Sequence, residues 1–331
     1  MAEQKADRLV QVQECGEHVP EASVRTELAR DPACPYPAMK KSFPQLLLLA
    51  IAPVLSGCSS HTRIVEQIRT PDVVMDASAT DLIHRLNTNF EALQTLTTTV
   101  TLTPSAGGAH SGKVTTYPSF NGYILMRKPR DLRVLMQLPL VGSVALNMAS
   151  TGSDFKLIIP PENKAMVGTD EIKTPSKNAF ENLRPGVFFD AFLIQGVGPE
   201  DFVDLTQSER ILTTDVRKHQ AIEEPDYDLA VLHKQGGNIL QTIRVLHYSR
   251  VTLLPFQQDI YDDKGRIVTT VLYDKYQKFG DIDFPMSIDI RRPYDEYELK
   301  ILVTKLSANK SLDNDQFDLE IPAGMTIQHM D

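Results

Sequence analysis

Residues 121–138 read NGYILMRKPRDLRVLMQL, and the fold is decided there. Two β-prone runs, Asn121–Arg127 and Leu132–Leu138, flank an interruption that contains Pro129 and Asp131. So short a break joins antiparallel neighbours, because a parallel crossover needs a dozen residues or more. The same rhythm continues on both sides. Thr95–Thr103, Val114–Tyr117, Ser143–Ser150, Phe155–Ile159 and Lys164–Val167 read as strands, and Ser105-Ala106-Gly107-Gly108 as a turn.

The second half repeats the pattern. Tyr227–Lys234 and Ile239–Ser249 surround Gly236-Gly237. Leu253–Tyr261 and Ile267–Phe279 surround Asp262-Asp263-Lys264-Gly265. Phe284–Arg291 and Glu298–Leu306 surround Pro293-Tyr294-Asp295. Leu299, Ile301 and Val303 alternate with Lys300 and Thr304, the mark of a half-buried antiparallel sheet. Phe317–Ile321 reads as a closing segment of the same domain.

Helical spacing is confined to two places. Ser78 is a good N-cap with Asp81 three residues on, and Leu82, Ile83, Leu86, Phe90 and Leu93 form a stripe, predicting a helix over 79–94. Residues 176–195 are phenylalanine-rich and broken by Pro185-Gly186, which predicts two short helices or one kinked pair. A further helical turn is expected at Pro199–Val203. The fold class is therefore α+β: one strongly curved antiparallel sheet of about ten or eleven strands, a half-open β-barrel capped by short helices. A sheet this wide must twist, bend or close. Left half open, its concave side is an apolar groove.

The N-terminal part has a different logic. Lys40-Lys41, the apolar run 46–55 and Leu55-Ser56-Gly57-Cys58 form a basic region, a hydrophobic region and a small-residue cleavage site. The run is too short to cross a bilayer as a helix. The end of the run resembles a bacterial lipobox, which implies lipidation of Cys58, export and a membrane-tethered mature chain. Several acyl chains anchor firmly where one holds marginally. The expected organisation is a misassigned, disordered extension over 1–38, a signal peptide over 39–57, a lipidated tether over 58–77 and one domain over 78–331. Cys58 is then the only cysteine left, so no disulfide supports the fold.

Formal charge is -9, and no long basic run is present, which argues against nucleic acid as a partner. No catalytic signature appears: no G-x-S-x-G elbow, no H-E-x-x-H and no phosphate-cradling glycine loop. His219, His233 and His247 share a spacing of fourteen, but nothing in the sequence ties them to a metal. A non-enzyme without cofactor or metal is expected.

The chain resembles the bacterial outer-membrane lipoprotein-sorting superfamily, the LolA/LolB-like proteins, over roughly residues 78–322. The resemblance rests on Asp81-Leu82-Ile83-His84-Arg85-Leu86 with Phe90, and on Gly122–Pro129 followed by Leu132-Arg133-Val134. Phe284-Pro285 with Ile288-Asp289-Ile290, and Leu312-Asp313 with Phe317 and Ile321-Pro322, complete it. The chain is longer than a typical receptor member across 176–212 and 213–250. The resemblance implies an open barrel that holds acyl chains, and a receptor-like lipoprotein with an exposed apolar loop. Leu140 in Leu138-Pro139-Leu140-Val141-Gly142 matches the tip of that loop.

The candidate site follows. Leu125, Val134, Met136, Leu146 and Met148 would line the groove, or else be ordinary core. Phe180, Phe188, Phe189 and Phe192 would form a lid, or else a fixed core helix. Leu140 and Val141 would touch the membrane, or else end a buried hairpin. Arg127 and Arg133 would supply charge at the groove mouth, or else pair with surface acids. The expected partners are acyl chains of lipids or lipoproteins, a periplasmic carrier protein, and the bilayer through Cys58. The expected role is a lipid-anchored carrier or acceptor on the periplasmic face of the outer membrane. The rival is a non-catalytic envelope scaffold. A carrier should have an apolar cavity of several hundred Å³, whereas a scaffold should have a filled interior.

Overall fold

The computed structural model describes residue 65 and residues 67–330, apart from 153, 171–175, 177 and 216–219. The proposed extension, the signal and Cys58 lie outside the described residues, as does His219. The strands in chain order are β1 (Gln67–Arg69), β2 (Thr95–Gly108), β3 (Lys113–Thr116), β4 (Phe120–Arg127), β5 (Asp131–Gln137), β6 (Val144–Thr151), β7 (Asp154–Ile159) and β8 (Lys164–Thr169). They continue with β9 (Phe202–Asp215), β10 (Gln220–Gly236), β11 (Ile239–Ser249), β12 (Pro255–Tyr261), β13 (Ile267–Phe279), β14 (Ile282–Arg292), β15 (Tyr297–Ala308) and β16 (Thr326–Met330). The α-helices are α1 (Ala79–Ala92) and α2 (Pro185–Phe192), with 3₁₀ turns at Pro160–Glu162, Ala179–Asn182 and Asn314–Phe317.

The sixteen strands among the described residues belong to one curled, unclosed sheet. From β10 the order runs β11-β12-β13-β14-β15-β2-β4-β5-β6-β7-β8-β16. Along its other side β10 pairs with β9, and β3 continues the line of β4 beside β2. Bulges between Val303 and Lys305, Met136 and Gln137, and His247 and Tyr248 interrupt the ladders. Each extra residue bends its strand and raises the local twist, which helps so wide a sheet to curl.

The α+β curled sheet expected from the sequence is the one observed, with corrections in detail. Among the described residues sixteen strands replace ten or eleven, and the sheet is mixed, because β1–β10 and β8–β16 pair in parallel at its margins. Ser105–Gly108 is strand, not turn. It pairs with β3, and a Cβ on Gly107 would lie 2.1 Å from the Lys113 carbonyl oxygen, so this glycine permits close strand approach. Pro199–Val203 leads into β9 rather than a helix. Part of the expected tether joins the domain, through β1 and through the Met75 amide bonded to the Arg250 carbonyl.

The helices sit on the concave side. α1 opens with a capping box, Ser78 with the Asp81 backbone and Asp81 with the Ser78 backbone. It buries Leu82 and Leu86 against Tyr227, Leu229, Leu246, Tyr248 and Leu253. Fully burying a leucine contributes about 1.5–3 kcal/mol, so this stripe fixes the helix to β10 and β11. At its C-terminus the Lys128 ammonium donates to the Phe90 carbonyl and lies 3.4 Å from the Phe90 ring centre. A cation there complements the helix dipole. Pro185 takes the first turn of α2, where its missing amide costs nothing, so Pro185-Gly186 opens this helix instead of breaking one.

Candidate functional site: a plugged apolar hollow

Strand alternation decides what faces the hollow. Ile124 and Met126 on β4, Val134 and Met136 on β5, and Met148 on β6 are buried in it, with Leu146 partly buried beside them. Leu125 is a correction. It falls on the opposite face, in line with Tyr123 and Arg127, because a one-residue step on a strand reverses the side-chain direction.

The phenylalanine segment fills the hollow. Phe188, Phe189 and Phe192 are buried, at 1%, 6% and 3% exposure, among side chains from β4–β8 and β13–β15. The Phe192 ring centre lies 6.2 Å from that of Phe284. Phe180 is only partly buried, edge-on to Tyr117 at 5.4 Å. Polar contacts hold the plug at both ends. The Gly186 amide donates to Asp170 at 2.9 Å. Gln258 donates to the Asp190 carbonyl at 3.0 Å, and Arg244 to the Gly196 carbonyl at 2.6 Å.

The interior is not wholly closed. A cleft of about 300 Å³ opens between α1, residues 192–194, the 253–255 turn and the adjoining ends of β13 and β14. Leu86, Phe90, Leu93, Phe192, Leu253 and Phe284 give it apolar walls, and His84, Arg85, Lys278, Asp281 and Asp283 also line it. Among the described residues the hollow thus combines a packed plug with an open cleft beside it.

The 138–142 hairpin end is exposed. Leu140 stands fully in solvent and Val141 at 76% exposure. The Leu138 amide donates to the Ser143 carbonyl and the Gly142 amide to the Leu138 carbonyl, closing the turn. Leu140 has φ 70, a conformation that disfavours any side chain.

Arg127 and Arg133 are a second correction. Both lie on the convex face. Arg127 pairs with Asp131 at 2.7 Å, donates to the Leu312 carbonyl and Asn314, and covers the Phe317 ring at 4.8 Å. Arg133 donates to Asn147 and to the carbonyls of Gln316 and Asp318. They fasten the C-terminal segment to the outside of the sheet and do not reach the groove mouth.

Polar residues that sequence reasoning passed over lie within the plug and beneath it. Burial pushes the Asp190 carboxyl up to about 6 against the pull of Arg130 and Arg244. Burial likewise raises the Tyr248 and Tyr273 hydroxyls and lowers the Arg244 guanidinium. Their signal was available: Arg244 precedes Leu246 and Tyr248 at alternate positions of one strand, so all three share a face. On the convex side, His247 sits between Asp228 at 2.6 Å and Asp259 at 3.1 Å. Burial alone would lower its pKa, and the two carboxylates more than offset this, so it is raised. Among the described residues no group of three or more ligating side chains is placed to hold a metal, and no helix is long and apolar enough to cross a membrane.

No family model and no curated protein matches the chain. The fold is similar to solved structures. One is a LolA superfamily protein from Nitrosomonas europaea, at 11% identity and TM-score 0.44, covering 74% of this chain and 99% of that one. Another is a DUF1329 family protein from Desulfovibrio piger, at 20% identity and TM-score 0.43, covering 72% and 95%. A third is an outer membrane lipoprotein-sorting protein domain from Vibrio parahaemolyticus, at 11% identity and TM-score 0.41, covering 72% and 94%. At these identities the likeness is one of fold alone.

Proposed function

We propose that this chain is a non-catalytic carrier or acceptor of acylated cargo, either lipids or lipoproteins. In this reading it is tethered through lipidated Cys58 to the periplasmic face of the outer membrane. The observation that carries the reading is the apolar cleft beside the phenylalanine plug. Hydrocarbon leaves water there at about 25 cal/mol for each Å² buried. Displacing Phe188, Phe189 and Phe192 would extend the cleft over the concave face. Transfer is then an exchange of one dry apolar surface for another, and the exposed Leu140–Val141 tip is the part that meets the bilayer. A periplasmic partner would hand over the cargo.

A scaffold reading has its own support in the buried state of Phe188 and Phe192, which leaves most of the hollow filled. One experiment separates the two. The purified full-length chain is extracted for bound lipid and titrated with laurate during thermal melting. The carrier reading expects co-purifying acyl compounds and a ligand-dependent rise in Tm. A lipid-free protein whose Tm ignores laurate would leave the scaffold.

A further inference from the structure

A polar cluster lies on the same face as the apolar hollow. Arg244 and Tyr248 come from β11, Gln258 from β12 and Tyr273 from β13. All are buried, from 2% exposure for Tyr248 and Gln258 to 8% for Arg244. Each has a polar atom without a hydrogen-bond partner: Arg244 Nε, Tyr248 Oη, Gln258 Oε1 and Tyr273 Oη. Buried polar atoms are nearly always paired, so four on neighbouring strands point to a group that joins them.

The register makes them one neighbourhood. Leu246 pairs with Gln258, and Gln258 with Val271. Arg244, Tyr248 and Tyr273 are therefore each one step along the same face from that row. A cavity of about 240 Å³ lies beside Arg244 and Gln258, with Asp190, Gln195 and Asp201 also lining it. Tyr248 lines the apolar cleft. Residues 192–196 are a wall shared by the two spaces: Phe192, Leu193 and Ile194 line the cleft, and Gln195 and Gly196 line the polar cavity.

The donor set selects the ligand. Arg244 Nε–H only donates, Gln258 Oε1 only accepts, and the tyrosine hydroxyls do both. The Arg244 charge is already opposed by the fields of Asp201 and Asp190. An anionic head would meet those carboxylates, and a cationic head would meet the guanidinium. A neutral hydroxyl or amide offers a donor and an acceptor together. We propose that Arg244, Tyr248, Gln258 and Tyr273 bind the neutral, hydroxyl- or amide-bearing head of a single-chain amphiphile whose alkyl chain occupies the cleft. This assignment rests on the carrier reading and narrows its ligand class.

Calorimetric titration of the full-length chain tests it with three probes of equal chain length: monolauroylglycerol, laurate and dodecyltrimethylammonium. The wild type is expected to favour monolauroylglycerol by about tenfold, the worth of one or two net hydrogen bonds. The double variant Tyr248→Phe/Tyr273→Phe should lose that factor and bind all three alike, with an undiminished Tm. Equal affinities in the wild type, a preference for either charged probe, or an unchanged preference in the double variant would overturn the assignment and leave acyl carriage standing. Failure of every probe to bind would overturn both. If the double variant loses its cooperative melt, the wild-type preference and Tyr273→Phe alone decide the matter.

Discussion

Leu140 holds a positive φ with its side chain wholly in solvent, an arrangement that neither packing nor backbone preference favours. A non-glycine residue in such a conformation costs about 1–3 kcal/mol. Glycine would relieve the strain, so Leu140→Gly should keep or raise Tm. If this tip meets lipid, the same variant should float with liposomes several-fold less than wild type. Undiminished flotation would remove the tip from the mechanism. The exposure of this residue came from the structure. Sequence placed it between two strands but left a buried hairpin end equally open. Leu125 teaches the converse. Its apolar identity suggested the groove, but position along the strand assigned it to the convex face, next to Arg127, which besides Asp131 has partners far along the chain at residues 312–317.

At the scale of elements, α2 decides whether the hollow is a carrier's. Its phenylalanines are buried like core, and Phe188→Ala should cost about 3–5 kcal/mol in chemical denaturation. Burial and mobility are separate matters, however. A plug that yields to cargo must open locally at less cost than the whole fold. Amides of Val187–Phe192 are therefore expected to exchange hydrogen faster than those of β4 and β5, and to slow when an acyl ligand binds. Protection equal to β4 and β5, with no response to ligand, would make α2 a permanent part of the core. Helical spacing and the Pro-Gly pair announced this segment in the sequence. β1, β9 and β16 gave no such notice. They lie at the margins of the sheet, where one unpaired edge removes the demand for strict alternation, and their pairing depends on partners more than a hundred residues away or across undescribed chain.

At the scale of the whole molecule, titration should set a pH optimum for stability. Asp190 and Asp226 are raised from 3.8 to about 6, both chiefly by burial. Their native forms bind protons more tightly than the unfolded chain, so stability rises as pH falls through 6 towards 4. His247, also raised, adds stability at acid pH that is lost as pH climbs through its folded value. Lowered carboxyls work in the opposite direction, Glu181 and Asp259 among them. Hydrogen bonds from Lys164 and Ser176 lower Glu181. Burial alone would raise Asp259, but His247, Thr270 and Gln257 more than offset it, so it is lowered. Their contribution is lost below about pH 4, near the ordinary carboxyl values. Tm is expected to rise from pH 7.5 to about 5 and to fall again below 4, and Asp190→Asn should flatten the first slope. A Tm that declines steadily from pH 7.5 downward would contradict these assignments.

The sequence by itself determined the class of fold, the capped first helix, most strand positions and the phenylalanine segment, because local periodicity, capping and turn chemistry are written in neighbouring residues. Only the tertiary structure decided which face each strand turns inward, that the plug occupies the hollow, and that Arg244, Tyr248, Gln258 and Tyr273 share the face beneath it. Those outcomes depend on register and on the meeting of distant strands. A one-residue shift reverses every side chain, and no local pattern specifies the partner across the sheet.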